Sequence, residues 1–414
     1  MPSEFLDSYD FTYSYGPSEI RIGEDAVTGL PTVLDRHGVS RAMVVAGQTV
    51  GSTSAVMDPV DAALGDRLVE VFDRTTPEKE ASTAFEGVER MDTLDVDGLV
   101  AVGGGSSVDV AQAISIFQAE DRPAPELFST VGDDGSIGLP ELSESKVPVY
   151  CVPTTFSGAE LTCAAGINLD TVRQGSMPET PREGPIYDPA VMPEGLFYDS
   201  RIIATTPRGV LAASGMNGLD HGIEMLYSRH ANPITDATAT HGLKLLRDGL
   251  PAAVGSDATA EAIQTAAAGI VLSSYGLVDP TADANKYSLI HAFGHIISRH
   301  YKIQQGQVHG IVAPAVLEYI FDSVDGRRTL LADGLGVWDP DTSDGEMADA
   351  IVAEVTAIRD ALDLPARLRE VPGVNRDEIS AVADGILQDV GIQNGPARLD
   401  PTKSELSEVL AAAF

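Results

Sequence analysis

Cysteine is scarce in this 414-residue chain, which has only Cys151 and Cys163. Two thiols are too few for a disulfide scaffold, and they point to a reducing cytoplasm. Long apolar runs are missing too. The longest uncharged stretch, Ala262 to Val278, carries Gln264, Thr265, Ser273 and Ser274, so no run suits a membrane span. Met1-Pro-Ser-Glu-Phe5 has no basic flank, apolar core or paired arginines, and no export leader is read there. Lysine is the third scarcity: it supplies six of 27 bases, which face 62 acids for a net charge of −35. So acidic a surface repels phosphate backbones and anionic lipid, which argues against nucleic acid and membranes as partners. Its self-repulsion is screened at ~1 M salt, where the Debye length falls to ~3 Å. The acids run the length of the chain without forming a tail. A salt-rich cytoplasm, as in a halophile, is therefore the simplest reading, with an ordinary acidic protein as the alternative.

What is present is globular composition, 43% hydrophobic and 21% charged, in a chain long enough for two to three domains of roughly 150 residues. Arg41 to Ala46, Gly98 to Val102 and Val147 to Val152 read as strands. Gly47-Gln-Thr-Val-Gly51 reads as a turn, and Asp61 to Phe72 as an amphipathic stretch. Strands separated by helices predict a parallel α/β sheet. Glu120 to Lys146 and Asp170 to Gly195, rich in Pro, Gly and acids, read as irregular. Beyond Thr206-Pro207 helical periodicity takes over, with helices predicted over 211–227, 237–250, 260–277, 284–301, 312–321, 345–362, 376–389 and 403–413. The expected division is a dinucleotide-binding α/β domain over 1–205 and a helical metal and substrate domain over 206–414.

Gly103-Gly-Gly-Ser-Ser-Val-Asp109 follows a strand and opens a helix. Glycines let a backbone approach a pyrophosphate, and the amides of a helix N-terminus favour its charge. The spacing is not Gly-x-Gly-x-x-Gly, and alone the cluster fits a tight turn as well as a phosphate site. Its place at a strand's carboxyl end, where open α/β sheets bind ligands, favours the phosphate site. Val152-Pro-Thr-Thr-Phe-Ser-Gly-Ala-Glu160 leaves another strand with Thr154 and Thr155 at the same edge. Seven of the eight histidines fall between 221 and 309. His291 and His295 sit at i, i+4 on one helical face, as do Asn217 and His221, and imidazole is a common metal ligand. His230 and His241 read as ordinary surface or core residues.

These segments resemble the iron-containing (group III) alcohol dehydrogenase family. Gly103 to Asp109 is similar to its Gly-Gly-Gly-Ser-x-x-Asp, and Pro153-Thr-Thr-Phe-Ser-Gly-Ala-Glu160 to its Pro-Thr-Thr motif. His221-Gly-Ile-Glu224, His291-Ala-Phe-Gly-His295 and Val308-His-Gly310 resemble its histidine segments, and the likeness spans essentially the whole chain. The resemblance implies a dehydroquinate synthase-like fold, an α/β dinucleotide-binding domain with a parallel sheet followed by an all-α domain. It implies an enzyme interconverting an alcohol and an aldehyde or ketone with NAD or NADP, assisted by a divalent metal, iron or zinc. Carried over, Gly104, Gly105, Ser106, Ser107, Asp109, Thr154 and Thr155 hold the cofactor. Asn217, His221, His291 and His309 form the metal set, and His295 is the catalytic proton relay. A homodimer is implied as well.

The chain departs from the pattern at several points. Asn217 stands where the family has an aspartate ligand, which predicts a weakened metal site. Asp220 is near, but one residue before His221 it points off that helix face. The interval from His291 to His309 is longer than expected and contains His300. A lysine for the nicotinamide ribose is missing, with Arg182 nearest its place, and Gln112 stands where lysine is usual. Gly47 stands where NAD-preferring relatives carry an acid, so NADP is expected to be tolerated. Asn217, Pro153 to Glu160, Met225-Leu-Tyr-Ser228 and Ala231 to Thr235 resemble the maleylacetate reductase branch, which reduces an activated double bond without metal. Lys286-Tyr-Ser-Leu-Ile290 lacks that branch's His-His-Lys. A catalytically idle subunit or scaffold is the reading from another class; the intact glycine loop and the retained histidines speak against it.

Overall fold

Ala42-Met-Val-Val-Ala-Gly47 and Gly98-Leu-Val-Ala-Val-Gly103 are continuous apolar runs, the pattern of strands covered on both faces. In the computed structural model, which describes residues 19–120, 146–168, 183–187, 192–279 and 284–414, both are buried strands. The strands are β1 (Glu19–Gly23), β2 (Ala42–Gly47), β3 (Leu68–Thr75), β4 (Gly98–Gly103), β5 (Val149–Pro153), β6 (Ala164–Asn168), β7 (Glu183–Tyr187) and β8 (Gly195–Asp199). Six form one sheet in the order β1-β8-β5-β4-β2-β3, with every pair parallel. The connection after β2 runs outward to β3, while that after β4 runs the other way to β5. The strand order therefore reverses between β2 and β4, and the crevice at their carboxyl ends is where such sheets bind ligands.

Alternate residues Val44 and Ala46 of β2, and Val100 and Val102 of β4, pack with Leu30 and Leu34 of helix Leu30–His37 and with Val56, Val60 and Leu64 of helix Ser54–Leu64. Each of these Val and Leu side chains contributes about 1.5–3 kcal/mol by leaving water. Helix Gly105–Ala119 is buried from Ser107 to Phe117 and packs on helix Ala81–Leu94, with Phe85 stacked on Phe117 at 4.5 Å. That burial keeps the helix, and the glycine loop that opens it, in a fixed place.

Three expectations are corrected in this region. The stretch Asp61 to Phe72 is not one amphipathic element. The helix stops at Leu64, where Gly65 takes φ +54°, and the alternating Leu-Val-Glu-Val-Phe that follows is β3. The expected irregular stretch 170–195 contains β7, which pairs antiparallel with β6. The expected turn at 47–51 closes as a short helix, Gln48–Gly51.

The rest is mostly helical: Arg208–Tyr227, Pro233–Val254, Ala260–Ser274, Leu289–Tyr301, Gln305–Ser323, Arg328–Gly334, Asp344–Ala361, Ile379–Gln388 and Lys403–Ala413. The start expected at 284 falls instead on a two-residue strand, Ala284–Asn285, paired with Val278–Asp279. Gly306 allows the approach that matters for the histidines. A Cβ there would lie 1.7 Å from the Ala213 carbonyl oxygen, so only glycine lets helix Gln305–Ser323 lie against helix Arg208–Tyr227. The described residues form two compact units. One runs as far as Thr155 and includes Ala159–Thr206; the other combines Phe156–Gly158 with Pro207–Phe414. Cys151 and Cys163 are buried and form no disulfide. Among the described residues no helix is long and apolar enough to cross a membrane.

Candidate active site

In the sheet unit, the residues expected to hold a cofactor cluster at the reversal point. β4 ends at Gly103, whose φ of +147° is open to glycine alone, and a Cβ there would lie 2.5 Å from Ser107 Oγ. Gly104 caps helix Gly105–Ala119 without a side-chain hydrogen bond. The first-turn amides of Gly105 and Ser106 are thus presented at the sheet edge, where they attract an anion. A Cβ on Gly104 would lie 3.0 Å from Thr155 Cγ2, so its absence leaves a small concavity walled by Thr155. The Thr154 amide donates to the Gly103 carbonyl at 2.9 Å, and the Thr154 carbonyl accepts from Thr206 Oγ1 at 2.7 Å. Gly47 ends β2 with its Cα hydrogen facing Thr75, whose hydroxyl lies 3.3 Å from Ser107 Oγ. Asp109 is buried in the second turn and accepts from Lys79 Nζ; burial pushes its carboxyl up and the ammonium opposes that shift. Arg182 lies outside the described residues.

In the helical unit, three helices bring the histidines together. The His221 and His291 rings stack with centroids 5.0 Å apart, His291 and His309 meet edge-on at 4.5 Å, and His291 and His295 at 6.0 Å. The Nδ1 atom of each cluster imidazole faces an oxygen that sequence reasoning did not assign to it. His221 Nδ1 pairs with Ser274 Oγ at 2.8 Å, and His291 Nδ1 with Glu224 Oε2 at 2.7 Å. Glu224, fully buried, also accepts the backbone amides of Ser288 at 2.6 Å and His291 at 3.1 Å, and so caps helix Leu289–Tyr301 from the side. His295 Nδ1 pairs with Asp389 Oδ2 at 3.0 Å, and Asp389 Oδ1 accepts from the Gly391 amide.

Asp220, expected to point off the His221 face, meets another histidine of the set. Its carboxylate lies 2.8 Å from His309 Nδ1, both groups being fully buried. The approach is off the hydrogen-bond axis, and both Asp220 oxygens and both His309 nitrogens are without a partner among the described residues. Burial, then Glu224, pushes the Asp220 carboxyl well up. Burial, then the neighbouring imidazoles, pushes His309 well down, and burial with His291 does the same to His221. Burial thus disfavours the charged form of His221 and His309. His300 stands elsewhere, pairing with Glu378 at 3.3 Å on an exposed face.

Imidazoles with a held Nδ1, as in His221 and His291, are the right chemical kind of metal donor. Their arrangement is not. Asn217 Nδ2 donates to the Ser157 carbonyl at 2.9 Å and lies 3.2 Å from His221 Nε2. An amide N–H thus faces the lone pair that a metal would need, and the bond to Ser157 fixes which way the amide points. His309 Nε2 faces Gly294, where a Cβ would lie 2.2 Å away. Among the described residues no group of three or more His, Cys, Asp or Glu side chains is arranged to hold a metal ion. The donor set as it stands does not fit the cation.

Comparison with known proteins decides the family. Residues 17–200 match "Iron-containing alcohol dehydrogenase" and residues 211–414 match "Fe-containing alcohol dehydrogenase family, C-terminal". The chain belongs to the iron-containing alcohol dehydrogenase family. As a member it is an oxidoreductase of alcohols and their carbonyl counterparts. The NAD-dependent methanol dehydrogenase of Bacillus methanolicus is 26% identical, over 91% of this chain and 93% of its own. A maleylacetate reductase of Pseudomonas aeruginosa is 25% identical over 92% of each. The solved alcohol dehydrogenase of Oenococcus oeni superposes with a TM-score of 0.84 over 97% of this chain and all of its own, at 19% identity, and so shares the fold. The expected parallel sheet followed by helices is thus the family's fold.

Proposed function

We propose that this family member transfers hydride between a nicotinamide dinucleotide bound at Gly104, Gly105, Ser106, Ser107, Thr154 and Thr155 and an alcohol or carbonyl substrate. The uncapped helix N-terminus at the reversal point carries the reading. Its amides and the missing Cβ of Gly104 suit a pyrophosphate, and both lie at a buried, rigid element. When bound, the nicotinamide supplies or accepts the hydride. The chain's own residues handle the proton. A carbonyl that gains hydride develops negative charge on oxygen and must take up a proton, and Ser274 and Glu224 fix the orientation of the His221 and His291 rings. His295 is about one quarter exposed, with Nδ1 held by Asp389, and it relays the proton to solvent.

Because the donor set does not fit a cation, no step is routed through metal. A second reading follows from Asn217, an amide donor where a carboxylate would repel an anionic substrate: reduction of an activated double bond next to a carboxylate. The maleylacetate reductases among the relatives support it. NADP tolerance through Gly47, a cytoplasmic and salt-rich setting, and a homodimer belong to the same proposal. The test is metal analysis of the purified chain, followed by NADH oxidation with aldehydes and with unsaturated dicarboxylates, with and without chelator. Failure to oxidise NADH or NADPH with either class would overturn the proposal, and turnover of the dicarboxylate alone would select the second reading.

A further inference from the structure

Resting on the dinucleotide reading, one cation beside the glycine loop has a role that the reading leaves unassigned. Lys79 lies in the turn between β3 and helix Ala81–Leu94, one of six lysines among 62 acids. Its backbone is left-handed, φ +50°, a conformation that lysine adopts only at a cost in strain. The surroundings hold it there: the Lys79 amide donates to the Thr76 carbonyl at 3.1 Å, and the Lys79 carbonyl accepts from the Asn168 amide at 2.9 Å. This backbone aims the ammonium at Asp109, with Nζ donating to Oδ2 at 2.5 Å.

Asp109 stands in the helix that the glycine loop opens, so the pair is fixed to the element that presents the anion-binding amides. Gly166 of β6 faces the pair without covering it; a Cβ there would lie 3.4 Å from Asp109 Oδ2 and 3.6 Å from Lys79 Nζ. One third of the Lys79 side chain stays exposed, against 6% for Asp109. An ammonium carries three N–H donors, and Asp109 takes one. A pyrophosphate approaching a chain of net charge −35 meets repulsion, and a fixed ammonium beside the loop reverses the potential locally.

We propose that Lys79 is a cofactor-binding residue, its ammonium oriented by Asp109 and donating to an oxygen of the dinucleotide's ribose–pyrophosphate backbone. The alternative is that Lys79 only neutralises a buried carboxylate. The two separate in a double-mutant cycle of NADH dissociation constants on the full chain, followed by nicotinamide fluorescence, for wild type, K79M, D109N and K79M/D109N. The expected result is a Kd about tenfold weaker in K79M, the loss of one hydrogen bond to a charged group, with the double variant no tighter. In wild type, NADH should also shield Lys79 from acetylation read by mass spectrometry, while Lys244 and Lys403 label as before. This arm decides alone if K79M does not fold. A wild-type Kd in K79M, its return in the double variant, or unchanged labelling of Lys79 would overturn the inference alone. A wild type that binds neither NADH nor NADPH would overturn the functional reading and this inference with it.

Discussion

Asn217→Asp separates the chemistries open to the histidine cluster. The native amide donates to the Ser157 carbonyl at 2.9 Å and faces His221 Nε2 at 3.2 Å. A carboxylate turns the first contact into two facing oxygens, and leaving the carbonyl without its donor costs about 1–3 kcal/mol. The second contact changes in the opposite sense, since a carboxylate beside the His221 ring nitrogen draws in a cation. A divalent ion at 100 times its dissociation constant would return about 2.7 kcal/mol. In a unit of roughly 200 residues each kcal/mol moves the melting temperature by about 2–4 °C. N217D should therefore melt about 2–12 °C below wild type in chelator and recover most of that loss on adding Zn²⁺ or Fe²⁺. Wild type should melt alike in both. The assay is differential scanning fluorimetry, with bound metal counted after dialysis. A wild type stabilised by zinc as much as the variant would refute the claim that Asn217 spoils the donor set.

Gly47→Asp should weaken NADPH binding while sparing NADH. The new Cβ lies 3.3 Å from the Thr75 carbonyl, a contact that a small shift absorbs, and equal loss of both cofactors would sink the specificity argument. The melting temperature should climb from ~0.1 M to ~2 M KCl as the −35 charge is screened; a flat curve would mark an ordinary acidic protein. Glu160 is buried with Oε1 accepting from the Tyr198 hydroxyl at 2.5 Å, and burial pushes its carboxyl up to about 7. A raised carboxyl favours folding while protonated, so that stability is lost as pH climbs from the ordinary carboxylate range through about 7. Glu160→Gln should match wild type at pH 5 and exceed it at pH 8 by on the order of 2 kcal/mol in urea melts; a difference independent of pH would reject the assignment.

The sheet was legible where runs were apolar throughout, as in β2 and β4, because burial on both faces leaves no polar position to confuse the period. β3 was not, since its Leu-Val-Glu-Val-Phe followed a helix with only Gly65 as punctuation. The first glycines were legible through strand-then-helix context. The histidines were legible as a set, but their partners were not. Glu224 and Asp220 lie on the helix of His221 and serve His291 and His309 on two other helices, a relation set by packing and not by spacing. Asp389 reaches His295 across 94 positions, which no local pattern encodes.

Phe156–Gly158 belongs with residues that begin some fifty positions later, since the Phe156 amide donates to Ser214 and the Ser157 carbonyl accepts from Asn217. On the ribosome, the sheet unit therefore emerges carrying a three-residue piece of the next unit's interior. The helical unit cannot complete the neighbourhood of Asn217 from its own later sequence. A fragment cut at Thr206 would leave one product with an unclaimed strand of partners and the other with an amide lacking its acceptor. Any exchange of units between relatives should therefore carry the segment after Thr155 together with the helices it serves.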